Sequence, residues 1–107
     1  MTQKIVAGDR YTEVYVEPLG VPAVARQLAA GSSSTNTELT ATCRRLSMRA
    51  VNADIRYSVG STAQTASSSS HFIAEGERID IALPQTPHIA IIRNGLTDGT
   101  LEITELV

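Results

Sequence analysis

Polar and apolar residues alternate along most of the chain, most clearly between Asn52 and Leu83. Ile55, Tyr57 and Val59 take turns with Asp54, Arg56 and Ser58, and Ile79, Ile81 and Leu83 take turns with Arg78, Asp80 and Ala82. A period of two puts one set on each face of a strand, so both segments read as β-strands with one buried side. Residues 60–70 between them are mostly Ser, Thr, Ala and Gln. They show no apolar period with which to bury themselves and read as a solvent-facing loop. That loop is either a slack connector or a contact loop that orders against a partner. Glu75-Gly76-Glu77 reads as a tight turn in which Gly76 takes positive φ.

The same pattern extends to both sides. Residues 11–17 (YTEVYVE) alternate as a strand that Pro18 ends. Residues 19–30 fit either a short helix opening at Pro22 or an extended segment, and the extended form is favoured because every neighbour is β. Residues 31–36 (GSSSTN) are a turn-rich connector, and residues 37–43 (TELTATC) read as a strand with Leu39 and Ala41 on one face. Leu46, Met48 and Ala50 form the next alternating set, expected to pair as a hairpin with residues 55–59 through Asn52-Ala53-Asp54. His71-Phe72-Ile73 is a short strand. Residues 88–93 (HIAIIR) are apolar on both sides, as expected of a strand buried between layers or at an interface. After a turn bracketed by Asn94-Gly95 and Asp98-Gly99, residues 100–107 close the chain with Leu101 and Ile103 inward. The sum is an all-β protein: a small antiparallel β-sandwich or barrel, jelly-roll-like, of about seven to nine short strands. Residues 1–10 read as an N-terminal arm and residues 11–107 as a single β-sandwich domain.

Composition narrows the function. The chain has 107 residues, 42% of them hydrophobic, which suits one globular domain. No apolar run approaches the ~20 residues of a membrane span, so no membrane partner is expected. The opening MTQKIVAGDR has no apolar core of a signal peptide, so the expected place is the cytoplasm, or a larger assembly built there. Net charge is −2, Lys4 is the sole lysine and only Arg44 and Arg45 are adjacent basic residues, which argues against nucleic acid as main partner. Cys43 stands alone, so it reads as a small buried hydrophobe within a strand and excludes an internal disulfide. The four aromatic residues, Tyr11, Tyr15, Tyr57 and Phe72, are too few for a stacking platform.

Candidate chemistry is thin. His71 and His88 have no further ligand at metal spacing, and His88 reads as a strand-end histidine with hydrogen-bond partners. Glu75, Glu77 and Asp80 are the densest carboxylates, flanking a turn as a solvated rim would. No serine sits in a nucleophile elbow and no glycine-rich phosphate loop is present. The expectation is a non-enzyme, with no catalytic residue, metal or cofactor.

Four pieces carry a family resemblance: IRYSVG (Ile55–Gly60), FIAEGERIDIALP (residues 72–84), IAIIRNG (residues 89–95) and DGTLEIT (residues 98–104). In this order, from about Leu39 to Leu106, they resemble small β-sandwich virion proteins of tailed bacteriophages; residues 1–38 add nothing to the likeness. The resemblance implies a structural protein of a phage particle, assembled in the host bacterial cytoplasm. Its role would be capsid decoration, with the major capsid protein or other virion subunits as partners. A place at the head–tail connector, on the tail, or as a fibre-borne carbohydrate-binding or adhesion module is the alternative. Contact is expected through the arm (Met1, Lys4, Ile5, Arg10) adding to a neighbour's sheet edge and through the loop (Ser61, Thr62, Thr65, Ser68). The apolar excess ending at Ile92, more than one small core is expected to absorb, points to a homo-oligomer, with a trimer favoured.

Overall fold

A computed structural model describes residues 21–106. The proposed arm (residues 1–10) and the strand expected at residues 11–17 lie outside the described residues. The described chain forms eight strands: β1 (Pro22–Ala30), β2 (Thr35–Glu38), β3 (Arg45–Val51), β4 (Ile55–Gly60), β5 (His71–Ile73), β6 (Arg78–Ala82), β7 (His88–Arg93) and β8 (Gly99–Leu106). None of the described residues forms a helix long and apolar enough to cross a membrane.

The strands make two antiparallel four-stranded sheets, ordered β1-β8-β3-β6 and β2-β7-β4-β5. Strand 1 lies beside 8, 2 beside 7, 3 beside 6 and 4 beside 5. That is a long two-stranded ribbon folded back on itself and then rolled up, closed by the further pairs β3–β8 and β4–β7. This order is the eight-stranded jelly-roll arrangement of a β-sandwich. Only β4 and β5 are consecutive strands sharing a sheet; every other connection crosses from one sheet to the other.

The core is what the alternation demands. Leu46, Met48 and Ala50 of β3 and Leu101 and Ile103 of β8 face Ile55 and Tyr57 of β4, Ile73 of β5 and Ile89 and Ile91 of β7, all buried. Leu28, Val59, Ile79 and Ile81 pack at its margin. Residues 22–30 are extended, since their alternating half-buried positions complete the first sheet at its edge.

Two expectations are corrected. β3 and β4 are not a hairpin: β3 pairs with β6 and β8, β4 with β5 and β7. Asn52 at φ 74° starts a corner that carries the chain across the core, with Ala53 buried beneath it. Asn tolerates that backbone better than most residues. Gly99 admits the corner, because a Cβ there would meet the Ala53 Cβ at 2.9 Å and the Val51 carbonyl oxygen at 3.0 Å. The strand expected at residues 37–43 ends at Glu38. Cys43 is buried as expected, but it sits in the turn that follows, its thiol donating to the carbonyl oxygens of Arg45 (3.0 Å) and Leu106 (3.5 Å). Gly76 does take positive φ, at 82°.

Candidate interaction surface

The outer face of the second sheet carries those contact candidates that the structure describes, Ser61, Thr62, Thr65, Ser68 and Ile92. Here the loop of residues 61–70 does not stand off into solvent; it is a strap tied across the sheet. Asn36 of β2 and Ser58 of β4 flank Ala90 of β7 in the strand register. Gln64 bonds to both: its backbone N–H donates to Asn36 Oδ1 (2.9 Å) and its Oε1 accepts from the Ser58 hydroxyl (2.8 Å). The strap therefore passes over Ala90, which is fully buried although it points away from the core. Gly60 leaves room for this, since a Cβ there would meet the Gln64 side-chain amide.

The rest of the strap is held in the same way. The Ala66 N–H donates to Ser34 Oγ (2.8 Å), the Thr86 hydroxyl to the Ser61 carbonyl (3.2 Å) and Arg56 to the Ser70 carbonyl (2.9 Å). Ser67 and Ser70 close a small turn, with Ser70 N–H on the Ser67 carbonyl at 3.1 Å and Ser67 N–H on Ser70 Oγ at 2.9 Å. A polar segment that cannot anchor itself by apolar burial is anchored by side chains satisfying its backbone. This also resolves the apolar excess of β7: Ile89 and Ile91 enter the core, while the strap covers Ala90.

Of the expected contact residues, Ser61, Thr62, Thr65 and Ser68 are exposed on the strap, and Ile92 is half-buried on the same side. Met1, Lys4, Ile5 and Arg10 lie outside the described residues. Residues not singled out from the sequence join the group. Ile92, Arg56 and Phe72 are opposed in register across β7, β4 and β5. The Arg56 guanidinium lies 4.8 Å from the centroid of the Phe72 ring, which is 41% exposed, and Arg56 Nε donates to Asn94 Oδ1 (3.2 Å). A cation held over an aromatic face stabilises both side chains in one geometry. Period two could place Arg56 and Phe72 outward, but only the sheet order makes them neighbours.

The remaining candidates are dispersed. His71 lies opposite Tyr57, their ring centroids 5.3 Å apart, whereas His88 lies opposite Gly60 and its Nδ1 is 3.3 Å from Asn36 Nδ2. Burial and then the charge of Glu77 push the Tyr57 phenol above its ordinary value. Around the acidic turn the carboxylates bind backbone: Asp54 accepts from the Glu75 N–H (2.7 Å) and Glu77 from the Ala74 N–H (2.9 Å). Among the described residues no group of three or more His, Cys, Asp or Glu is placed to hold a metal ion.

One ionic feature is internal. Glu105 of β8 continues the inward series of Leu101 and Ile103, and its side chain is 0% exposed. Its carboxylate accepts from Arg26 Nε of β1 (2.6 Å) and from the Thr40 N–H (3.1 Å). Burial pushes this carboxyl up; hydrogen bonds from Thr40 and Arg26 and the Arg26 charge outweigh it and hold the group below its ordinary value. The pair fixes one end of the sandwich and joins β1, β8 and the turn after β2.

No family model, curated protein or solved structure matches this chain.

Proposed function

We propose that this protein is a structural component of a tailed-phage particle that binds the outer surface of the capsid and bridges neighbouring shell subunits. The observation that carries the reading is the strapped face of the second sheet, where the exposed hydroxyls of Ser61, Thr62, Thr65 and Ser68 stand on a backbone already tied to Asn36 of β2 and Arg56 of β4. A contact surface ordered before binding does not lose that conformational entropy on association. Beside it the Ile92–Arg56–Phe72 row supplies an apolar and cationic anchor of the kind that dominates interface energies. The resemblance of residues 55–104 to phage virion β-sandwiches agrees with this use, and the arm at residues 1–10 supplies a second contact. A ligand that binds the assembled shell and not its dissociated subunits stabilises the shell by mass action, about 2.7 kcal/mol per site at 100 times the dissociation constant. Repeated over a lattice, modest contacts suffice.

The second reading, a fibre- or tail-borne sugar-binding module, draws on the exposed face of Phe72. Co-sedimentation separates the two. The full chain should pellet with heads of the phage that carries it and raise the temperature at which they release DNA, and Arg56→Glu should weaken binding at least tenfold. Absence from the pellet together with a specific glycan-array signal would transfer the function to the second reading.

A further inference from the structure

β7 and β8 are joined by residues 94–98, a turn that opens with Asn94-Gly95. Asn94 is half-buried and held at two points. Its N–H donates to the Asp54 carbonyl oxygen (2.9 Å), and its side-chain carbonyl accepts from Arg56 Nε (3.2 Å). A guanidinium nitrogen only donates, so the atom facing Arg56 is Oδ1 and not the amide nitrogen. Gly95 is open where Asn94 is held. It is exposed at φ 106°, and a Cβ built there would meet nothing within 4 Å. Among the described residues the Gly95 N–H has no hydrogen-bond acceptor.

We propose that Asn94 modifies itself: the Gly95 nitrogen displaces the Asn94 amide with the help of Arg56, and a carboxylate takes the amide's place. The step needs only water and hydroxide. Hydroxide removes the Gly95 amide proton, and the nitrogen attacks Asn94 Cγ. A C–N bond forms, closing a five-membered imide ring. The Cγ–Nδ2 bond breaks, and Nδ2 leaves as ammonia after taking a proton from water. A second water opens the ring at either carbonyl, giving aspartate or its β-linked isomer. Nothing is oxidised or reduced. As the nitrogen adds, negative charge develops on Oδ1, the oxygen that Arg56 already faces. A donor aimed at an oxygen where charge develops lowers the barrier.

The other positions that could react this way are closed. Asn52 precedes Ala53, which carries a Cβ and is buried beneath the corner. Asn36 precedes Thr37, which is fixed within β2 opposite Ile89. Asp98 precedes a glycine, but Gly99 is buried in β8 opposite Ala30. Gly95 alone combines an exposed nitrogen with a backbone free to take the angles that ring closure demands. The product changes its surroundings. A carboxylate at position 94 turns a neutral acceptor into a charged one for Arg56, which strengthens the bond. The same guanidinium lies 4.8 Å from the Phe72 ring centroid, so the new charge offsets the positive charge of the Ile92–Arg56–Phe72 row. The chain's net charge of −2 becomes more negative by one. The inference concerns the turn itself and does not depend on the capsid reading.

Incubation of the folded full chain at mildly alkaline pH, followed by peptide mass spectrometry, tests this. Aspartate and isoaspartate should accumulate at position 94, while Asn36 and Asn52 keep their amides and Asp98 stays unisomerised. Arg56→Met should slow the native reaction about three- to tenfold, less than the ~100-fold lost from an enclosed oxyanion site, because water reaches this turn. In urea, where the turn is unfolded, the wild type and Arg56→Met should react at one rate. Asn94→Gln, which keeps an amide beside Arg56 but must close a larger ring, should stay unmodified. The decisive comparison needs no variant: a native wild type that keeps Asn94 while the urea-unfolded chain loses it would overturn the proposal, since the fold would then shield the site. A native Arg56→Met that reacts as fast as the wild type, or faster, would overturn it as well.

Discussion

Replacing Arg26 with methionine keeps most of the side chain's aliphatic length and removes its charge, leaving the Glu105 carboxylate in a site with no solvent access. Removing one partner of a buried ion pair costs about 3–5 kcal/mol, because the other charge remains desolvated. Arg26 itself is 32% exposed, so water partly replaces it and the lower end, about 3 kcal/mol, is expected. The pH dependence identifies the cause. In the wild type the Glu105 carboxyl is held low, so its contribution is complete above the unfolded value of about 4.3 and is lost as pH falls through the lower folded value. In Arg26→Met burial acts with fewer opposing bonds and raises the carboxyl, so acid relieves the variant by protonating it. Equilibrium urea unfolding should therefore show a gap of about 3 kcal/mol at pH 7 that narrows towards pH 4. Arg26→Met combined with Glu105→Leu should return to within about 1 kcal/mol of the wild type. A gap under about 1 kcal/mol at pH 7, or one that does not change with pH, would refute the reasoning.

Three further outcomes follow from the packing. Asn36→Ala removes the acceptor for the Gln64 N–H and should cost about 1–2 kcal/mol, with faster hydrogen exchange in residues 64–70 and unchanged exchange in β3 and β8. Gly99→Ala forces a methyl against Ala53 and the Val51 carbonyl and should destabilise by about 1–3 kcal/mol, read as a lowered urea midpoint with unaltered slope. The Cys43 thiol, buried and donating to two carbonyls, should react with a thiol reagent only at the rate of unfolding; immediate labelling of the native protein would contradict its placement.

Period-two alternation carried most of the fold. It located β3 to β8 to within a residue or two and chose the inward sets, because burial on one face leaves a direct trace in sequence. It could not assign strands to sheets. Leu46, Met48 and Ala50 face the core equally well in a hairpin or across a corner, and the corner is built by Asn52, Ala53 and Gly99 acting together. The strap was illegible for a related reason. Its anchors Asn36, Ser34 and Ser58 are ordinary polar positions until the β2-β7-β4 order aligns them, so the polar run read as a solvent-facing loop, either slack or ordered by a partner. Glu105 was within reach, since it continues the Leu101–Ile103 parity, but Arg26, which makes a carboxylate tolerable there, becomes its neighbour only once β1 pairs with β8. The exposure of Ser61, Thr62, Thr65 and Ser68 was legible in the sequence, whereas the pairing of Arg56 with Phe72 needed the register.

The proposed attachment of this sandwich to a larger shell, through a face it has already ordered, is open to direct test. Electron microscopy of heads with and without the added full-length protein tests it most directly. The account predicts extra density at regular lattice positions on the outer shell, with residues 61–70 and the Ile92–Arg56–Phe72 row against the capsid. Heads indistinguishable in the two maps, or density confined to the tail, would contradict it.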